Sequence, residues 1–553
     1  MTGKQFILVI KRLILVILTV FAIGKVSLSL VESLGQPQIQ SRLELYQTNL
    51  ILHAAEWSSK NLDAASPPAS TPDLAPARNA IIGKDPFKTA QDQYQDALKT
   101  AQTTQAKITA QLKELSSSKT KIATAPKPTQ PQLQYPPVED NPTTSVQRQQ
   151  LQKSYALVEN LIDELNVRIG ILQAQQGQTA EAIKTWNRFT QQETTETLLM
   201  PETSLVQTSQ VLIGLWSNPP RLLPDAEEQI QKNLDSWFRY RTLKQLYQLQ
   251  QRQDALQSLQ LQEQEVAQQA VFKLALIGGI PAVGGLLGVG LLLFVVIQRL
   301  LQGKRSLLAT NGDIGWDTPW DWEVIWQVLI LGFFFVGQLL LPVFFGLLGI
   351  NPATYSVREK AFYVLLSYVL MATGGLLVLY FSIKPFLPEA EDWEDWFRFK
   401  FRSNWPLWGL GGYLTALPLV IIVSLLNQKL WDGQGGSNPI LPLALEGKDN
   451  VALLVFFLTA CVAAPIFEEI MFRGFLLSSL TRYMPVGSAI VLSSLLFAIA
   501  HLSISEVLPL ATLGMVLGVV YTRSRNLLSS ILLHGLWNAG TLLSLFVLGS
   551  GSS

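Results

Sequence analysis

Three histidines occur in the 553 residues, His53, His501 and His534, and two of them fall near the end of the chain beside carboxylates in apolar surroundings. PIFEEIMFRG holds Glu468, Glu469 and Arg473; FAIAH ends at His501; LLHGLWN carries His534 and Asn538. An ionisable group at the centre of a membrane span costs about 2.5 to 3.5 kcal/mol on insertion scales, so its presence there is a functional hypothesis. Helical spacing sorts the groups. Glu469 and Arg473 are four apart, with glutamate ahead of arginine, and can neutralise one another on one face. Glu468 is left unpaired, pointing about 100 degrees away. His534 and Asn538 share a face, and Phe497 and His501 repeat the same spacing. Carboxylate and imidazole can carry protons, and imidazole and carboxamide can donate hydrogen bonds to developing negative charge. The same residue types also serve proton relays, so a proton-coupled transporter is a rival use.

Apolar segments must position these groups. Counting at 1.5 Å per residue from Arg482, Pro485 and Arg525 puts Glu469 about 20 Å in, His501 about 24 Å and His534 about 14 Å, so either the helices tilt or the seventh and eighth spans have other boundaries. Nine candidate spans are read, at 13–31, 272–297, 324–348, 361–382, 406–426, 451–477, 486–502, 508–522 and 527–547. Basic residues gather in alternate loops: Arg299, Lys304 and Arg305; Lys384, Arg398, Lys400 and Arg402; Arg482; Arg523 and Arg525. This parity places the N-terminus in the cytoplasm and residues 36–268 on the other side. Residues 1–35, with Lys4, Lys11 and Arg12 ahead of the apolar run, read as an anchor rather than a cleaved signal. Trp316, Trp320, Trp322, Trp393, Trp396 and Trp405 read as interfacial anchors, and the glycines of 278–290 as helix-packing positions.

Residues 36–268 are polar and hold no stretch that could cross a bilayer. The expectation is a mainly helical soluble domain with Pro-rich linkers at 61–80 and 123–145. Gly170, Gly177, Ala182 and Trp186 have spacings that resemble the tetratricopeptide repeat, and 240–259 is a weaker echo with Ala255. An ordinary helical hairpin domain fits as well, since repeat stacks generally need three units. The fold class expected is therefore all-α, a polytopic membrane bundle plus a helical extramembrane domain. A net charge of +1 gives no basic field for nucleic acid, and the single Cys461 permits no internal disulfide.

EEIMFR at 468–473, FAIAH at 497–501 and HGLWN at 534–538, in this order on apolar segments, resemble the three motifs of the CPBP family of CAAX prenyl proteases and bacteriocin-processing (Abi) enzymes. The resemblance covers about 450–540. It implies an intramembrane protease core over 450–553, following spans of unassigned role at 269–449. It also implies that Glu468 and His501 activate a water for attack on a peptide carbonyl, that His534 and Asn538 stabilise the oxyanion, and that Glu469, Arg473 and Phe497 support them. No cofactor is assigned. An older view of the family makes Glu468, His501 and His534 zinc ligands, and without HExxH the residues leave that choice open. The expected substrate is a membrane-associated protein, with a further protein partner for the helical domain. A catalytically silent scaffold or immunity protein is the other reading.

Overall fold

The computed structural model describes residues 3–34, 39–57, 82–123, 142–192, 204–386, 396–431, 435–437, 441–443 and 449–550. Among these every regular element is helical. In chain order they are α1 (Gly3–Ser33), α2 (Ile39–Glu56), α3 (Pro86–Ala123), α4 (Pro142–Gln175), α5 (Thr179–Gln192), α6 (Ser204–Trp216), α7 (Ala226–Asn233), α8 (Ser236–Leu249) and α9 (Gln253–Gln302). There follow α10 (Trp322–Leu347), α11 (Val357–Ile383), α12 (Trp405–Trp431), α13 (Asn450–Leu480), α14 (Val486–Ile499), α15 (Val507–Ser524) and α16 (Leu527–Gly549). The linker at 61–80, residues 124–141 of the second linker, and Trp393 lie outside the described residues. The chain divides into two compact units, Ser41–Ala275 and Met1–Gln40 with Leu276–Ser550.

In the Ser41–Ala275 unit, Tyr94, Leu172, Trp186, Leu212, Trp237, Phe238 and Leu246 are buried together. Helical hairpins stand where the small residues suggested them. Gly177 turns α4 into α5 with φ 79°, a backbone conformation open to glycine at little cost. Gly170 leaves room for Trp186, whose indole would occupy the place of any added Cβ and donates to the Val167 carbonyl at 3.2 Å.

The other unit holds the membrane helices. Eight helices among the described residues are long and apolar enough to cross a bilayer, where nine segments were read from the sequence. The difference is 486–502, which forms the 14-residue α14. At 1.5 Å per residue it rises about 21 Å, short of the roughly 30 Å of hydrocarbon. The hairpin of α14 and α15 nevertheless returns to its starting level. At one end Thr481 Oγ1 accepts from the Trp316 N–H at 2.9 Å and Arg525 Nη1 donates to the Gly315 carbonyl at 3.4 Å. At the other, Ser503 Oγ donates to the Gly435 carbonyl at 3.1 Å and Ser505 Oγ to that of Gly436 at 2.7 Å.

Two sequence readings need correction. Trp316 and Trp320 are 5% and 0% exposed and belong to the core rather than an interfacial belt. Trp320 Nε1 donates to Ser479 Oγ at 2.8 Å, which satisfies the one polar atom that burial would strand. Of the glycines at 278–290, Gly284 and Gly288 pack on Leu414, Leu417 and Pro418 of α12, whereas Gly278, Gly279, Gly285 and Gly290 face open space.

Candidate active site

α13 carries the paired glutamates between two π-helical stretches, Thr459–Ala463 and Ile470–Leu477. Such wide turns frequently mark functional sites, and they advance less per residue than an α-helix. This winding accounts for part of the difference in depth estimated from the sequence, and Glu469 and His534 do meet, at 2.9 Å.

Glu469 and Arg473 form the expected pair, with Arg473 Nη1 donating to Glu469 Oε1 at 2.7 Å and both side chains fully buried. Arg473 also donates to the Gly514 carbonyl of α15 at 3.3 Å, and its guanidinium lies 4.4 Å from the centre of the Phe497 ring. The same Glu469 oxygen lies 2.9 Å from His534 Nδ1. A carboxylate can only accept here, so His534 carries a proton on Nδ1 and turns Nε2 toward Glu468, whose Oε2 is 3.9 Å away. Glu469 is thus the group that orients His534 as well as the partner of Arg473.

Glu468 is partly exposed, and its Oε1 accepts from the hydroxyl of Tyr368 on α11 at 3.0 Å. Sequence reasoning missed Tyr368. A lone tyrosine in an apolar span gives no periodic or motif signal, and its contact arises purely from helix packing.

His501 follows α14 in the turn that ends it, with Nδ1 2.9 Å from the Phe497 carbonyl. A carbonyl only accepts, so the neutral ring keeps its lone pair on Nε2. Phe497 stands between the two histidines, edge to face with His501 at 4.9 Å and with His534 at 5.7 Å. Asn538 donates one amide hydrogen to the Ala460 carbonyl at 2.7 Å, a carbonyl of the first π-helical stretch. Gly535 lets this approach happen, since a Cβ there would meet the Cys461 carbonyl at 2.8 Å. Glu468, Glu469, Arg473 and His534 are therefore joined in one network, Phe497 and His501 flank it, and Asn538 is anchored separately on the α13 backbone.

Residues 450–540 match the family described as type II CAAX prenyl endopeptidase Rce1-like. The chain carries a CPBP-family domain. This is a family of intramembrane peptidases, and its match spans α13 to α16. Comparison with curated proteins and with solved structures gives no match. The CPBP match does not reach Ser41–Ala275, so the likeness of its hairpins to the tetratricopeptide repeat is not confirmed.

The donor set was tested against zinc. Among the described residues no three His, Cys, Asp or Glu side chains converge in a way that could hold a metal ion. Both imidazoles bond protein acceptors through Nδ1 and leave Nε2 available, so the separation of the three side chains alone decides the fit. The arrangement does not fit a three-ligand centre of Glu468, His501 and His534.

Proposed function

We propose that the CPBP domain is an intramembrane endopeptidase that hydrolyses a peptide bond of a membrane-associated protein. The observation that carries this reading is the pair of glutamates with divided duties. Glu469 is engaged through Oε1 by both Arg473 and His534, while Glu468 keeps an oxygen directed toward His534 without a close partner. Glu468 takes the proton of the attacking water, and His501, with its lone pair on Nε2, is the second acceptor. The remaining amide hydrogen of Asn538 and a protonated His534 then donate to the oxyanion.

The test is quantitative comparison of membrane proteins in cells carrying the parent or Glu468→Gln. Loss of general base catalysis lowers turnover by about 100 to 10,000-fold, so uncut substrate accumulates while the folded amount of the variant is unchanged. Identical proteomes would overturn the reading in favour of a silent scaffold.

The distribution of charge supports an N-terminus in the cytoplasm. Lys11 and Arg12 on Glu323, with Arg482, Arg523 and Arg525, gather at the end of the membrane unit marked by Trp316 and Trp320. Ser33 bonds the Ile504 N–H at the opposite end. On this assignment residues 36–268 are non-cytoplasmic and present a helical surface to a protein partner; a periplasm-type reporter fused after residue 200 is active, and activity of a cytoplasmic reporter there would reverse the orientation.

A further inference from the structure

The third histidine has a site of its own. His53, on α2, is 4% exposed, with Nδ1 2.6 Å from Glu263 Oε1 and Nε2 2.9 Å from Ser236 Oγ. The carboxylate fixes the proton on Nδ1, so Nε2 is the acceptor and the serine hydroxyl donates to it. This is the order nucleophile, base, orienting acid of a serine hydrolase. Ser236 opens the 14-residue α8 with φ 52°, a left-handed conformation uncommon for any residue but glycine. Backbone of that kind at a helix start also presents the nucleophile of known hydrolases, and such outliers cluster at functional positions. Ser236 is partly exposed, whereas His53 and Glu263 are buried. A second observation concerns the first turn of α8. Asp235, the capping residue, makes no side-chain bond to the helix N–H groups; its carboxylate binds Arg168 at 3.1 Å instead. The Trp237 and Phe238 amides therefore are not capped by Asp235, and the amide that follows the nucleophile is an oxyanion donor in hydrolases of the strand-turn-helix kind.

We propose that Ser236, His53 and Glu263 form a second hydrolytic centre, independent of the CPBP site, that cleaves carboxylic esters. Glu56, which accepts from Trp237 Nε1 at 3.1 Å, is paired with Lys244 at 3.8 Å, and Asp235 is paired with Arg168, so these carboxylates are balanced and an uncharged ester suits the surroundings. In the first step Ser236 Oγ bonds to the ester carbonyl carbon and its proton passes to His53 Nε2. The adduct collapses, the bond to the alkoxy oxygen breaks, and the alcohol leaves with the proton from His53. Water then attacks the acyl carbon, giving one proton to His53; Ser236 Oγ departs, takes that proton back, and the carboxylic acid is released.

The experiment uses the full chain in detergent, a fluorophosphonate probe and p-nitrophenyl butyrate. Mass spectrometry is expected to find the probe on Ser236, with labelling abolished in Ser236→Ala and ester turnover lowered about 100-fold or more in His53→Gln. Because His53 is buried, its variant is checked for folding by circular dichroism. If it is unfolded, labelling of the folded parent compared with Ser236→Ala decides. Absence of probe on Ser236 in folded parent protein, or labelling retained in Ser236→Ala, would each overturn the proposal and leave the three residues as a packing network.

Discussion

Two histidines in different units are held in the same way and face different partners. His534 Nδ1 is 2.9 Å from Glu469 and His53 Nδ1 is 2.6 Å from Glu263, so each ring has its tautomer fixed by a buried carboxylate. Beyond Nε2, however, His534 meets the Glu468 carboxylate at 3.9 Å and His53 meets the Ser236 hydroxyl at 2.9 Å. The orienting device is common; the group at Nε2 differs, a carboxylate in one case and a hydroxyl in the other, and on the two proposals above that difference separates activation of a water from a serine nucleophile. The two glutamates also differ. Glu469 shares its oxygen with Arg473 in apolar surroundings, whereas Glu263 has His53 as its hydrogen-bonding partner and Lys244 and Glu56 in its field.

The sharpest way to break this comparison is to remove the counter-charge that only the membrane site has. Arg473→Met or Glu469→Gln alone leaves a buried group uncompensated and is expected to cost about 3 to 5 kcal/mol, seen as loss of monodisperse protein on gel filtration. The double variant Glu469→Leu with Arg473→Met recovers folded protein, because an apolar replacement of a buried pair is often neutral. It does not recover proteolysis, since His534 loses its anchor. A double variant no better folded than the singles would show that the pair is not an isolated unit.

Next in size is Asn538→Ala. It removes an oxyanion donor and is expected to lower turnover by about 100 to 1000-fold with substrate binding largely kept. The same preparations assayed before and after chelation, with metal content measured, separate this scheme from zinc. One tightly held zinc per chain, with activity lost on its removal and restored on re-addition, would overturn it.

The smallest effect probes the Ser41–Ala275 unit by pH. Partial burial, with Glu159 and Glu164 nearby, raises the Asp163 carboxyl to about 6. A raised carboxyl favours the folded state fully only below its ordinary value near 3.8, and that contribution is lost as pH rises through about 6. Asp163→Asn should therefore flatten the melting temperature between pH 4 and 6. It should also raise stability at neutral pH, by on the order of 1 kcal/mol or less after solvent screening. An unchanged pH profile would show that Asp163 is not held in that environment.

How far these features were legible depends on the range of the interaction that made them. The Glu469 and Arg473 pair was readable because four residues on one helix fix its geometry. The bond from Glu469 to His534 was not, because it joins α13 to α16, and helical spacing says nothing of rotation between helices. Trp316 and Trp320 were misread since flanking position looks the same whether an indole faces lipid or finds a hydroxyl such as Ser479. The Asn538 anchor at Ala460 was hidden for another reason: π-helical winding, which displaces a backbone carbonyl, leaves no mark in hydropathy. The overall helical class was plain from the apolar segments, but 486–502 was counted as a full span because FAIAH extends the apolar run past the point where α14 ends at Ile499.

That early end has a consequence for the surrounding lipid. With α14 about 9 Å shorter than a typical hydrocarbon core, a membrane around it would favour a thinner bilayer, or solvent dipping inward, at the end where His501 stands. A hydrolase needs water as a reactant, and hydrophobic mismatch would deliver it to the histidine without an opening through the helical bundle. Acyl-chain length of the host membrane then becomes a control on the reaction.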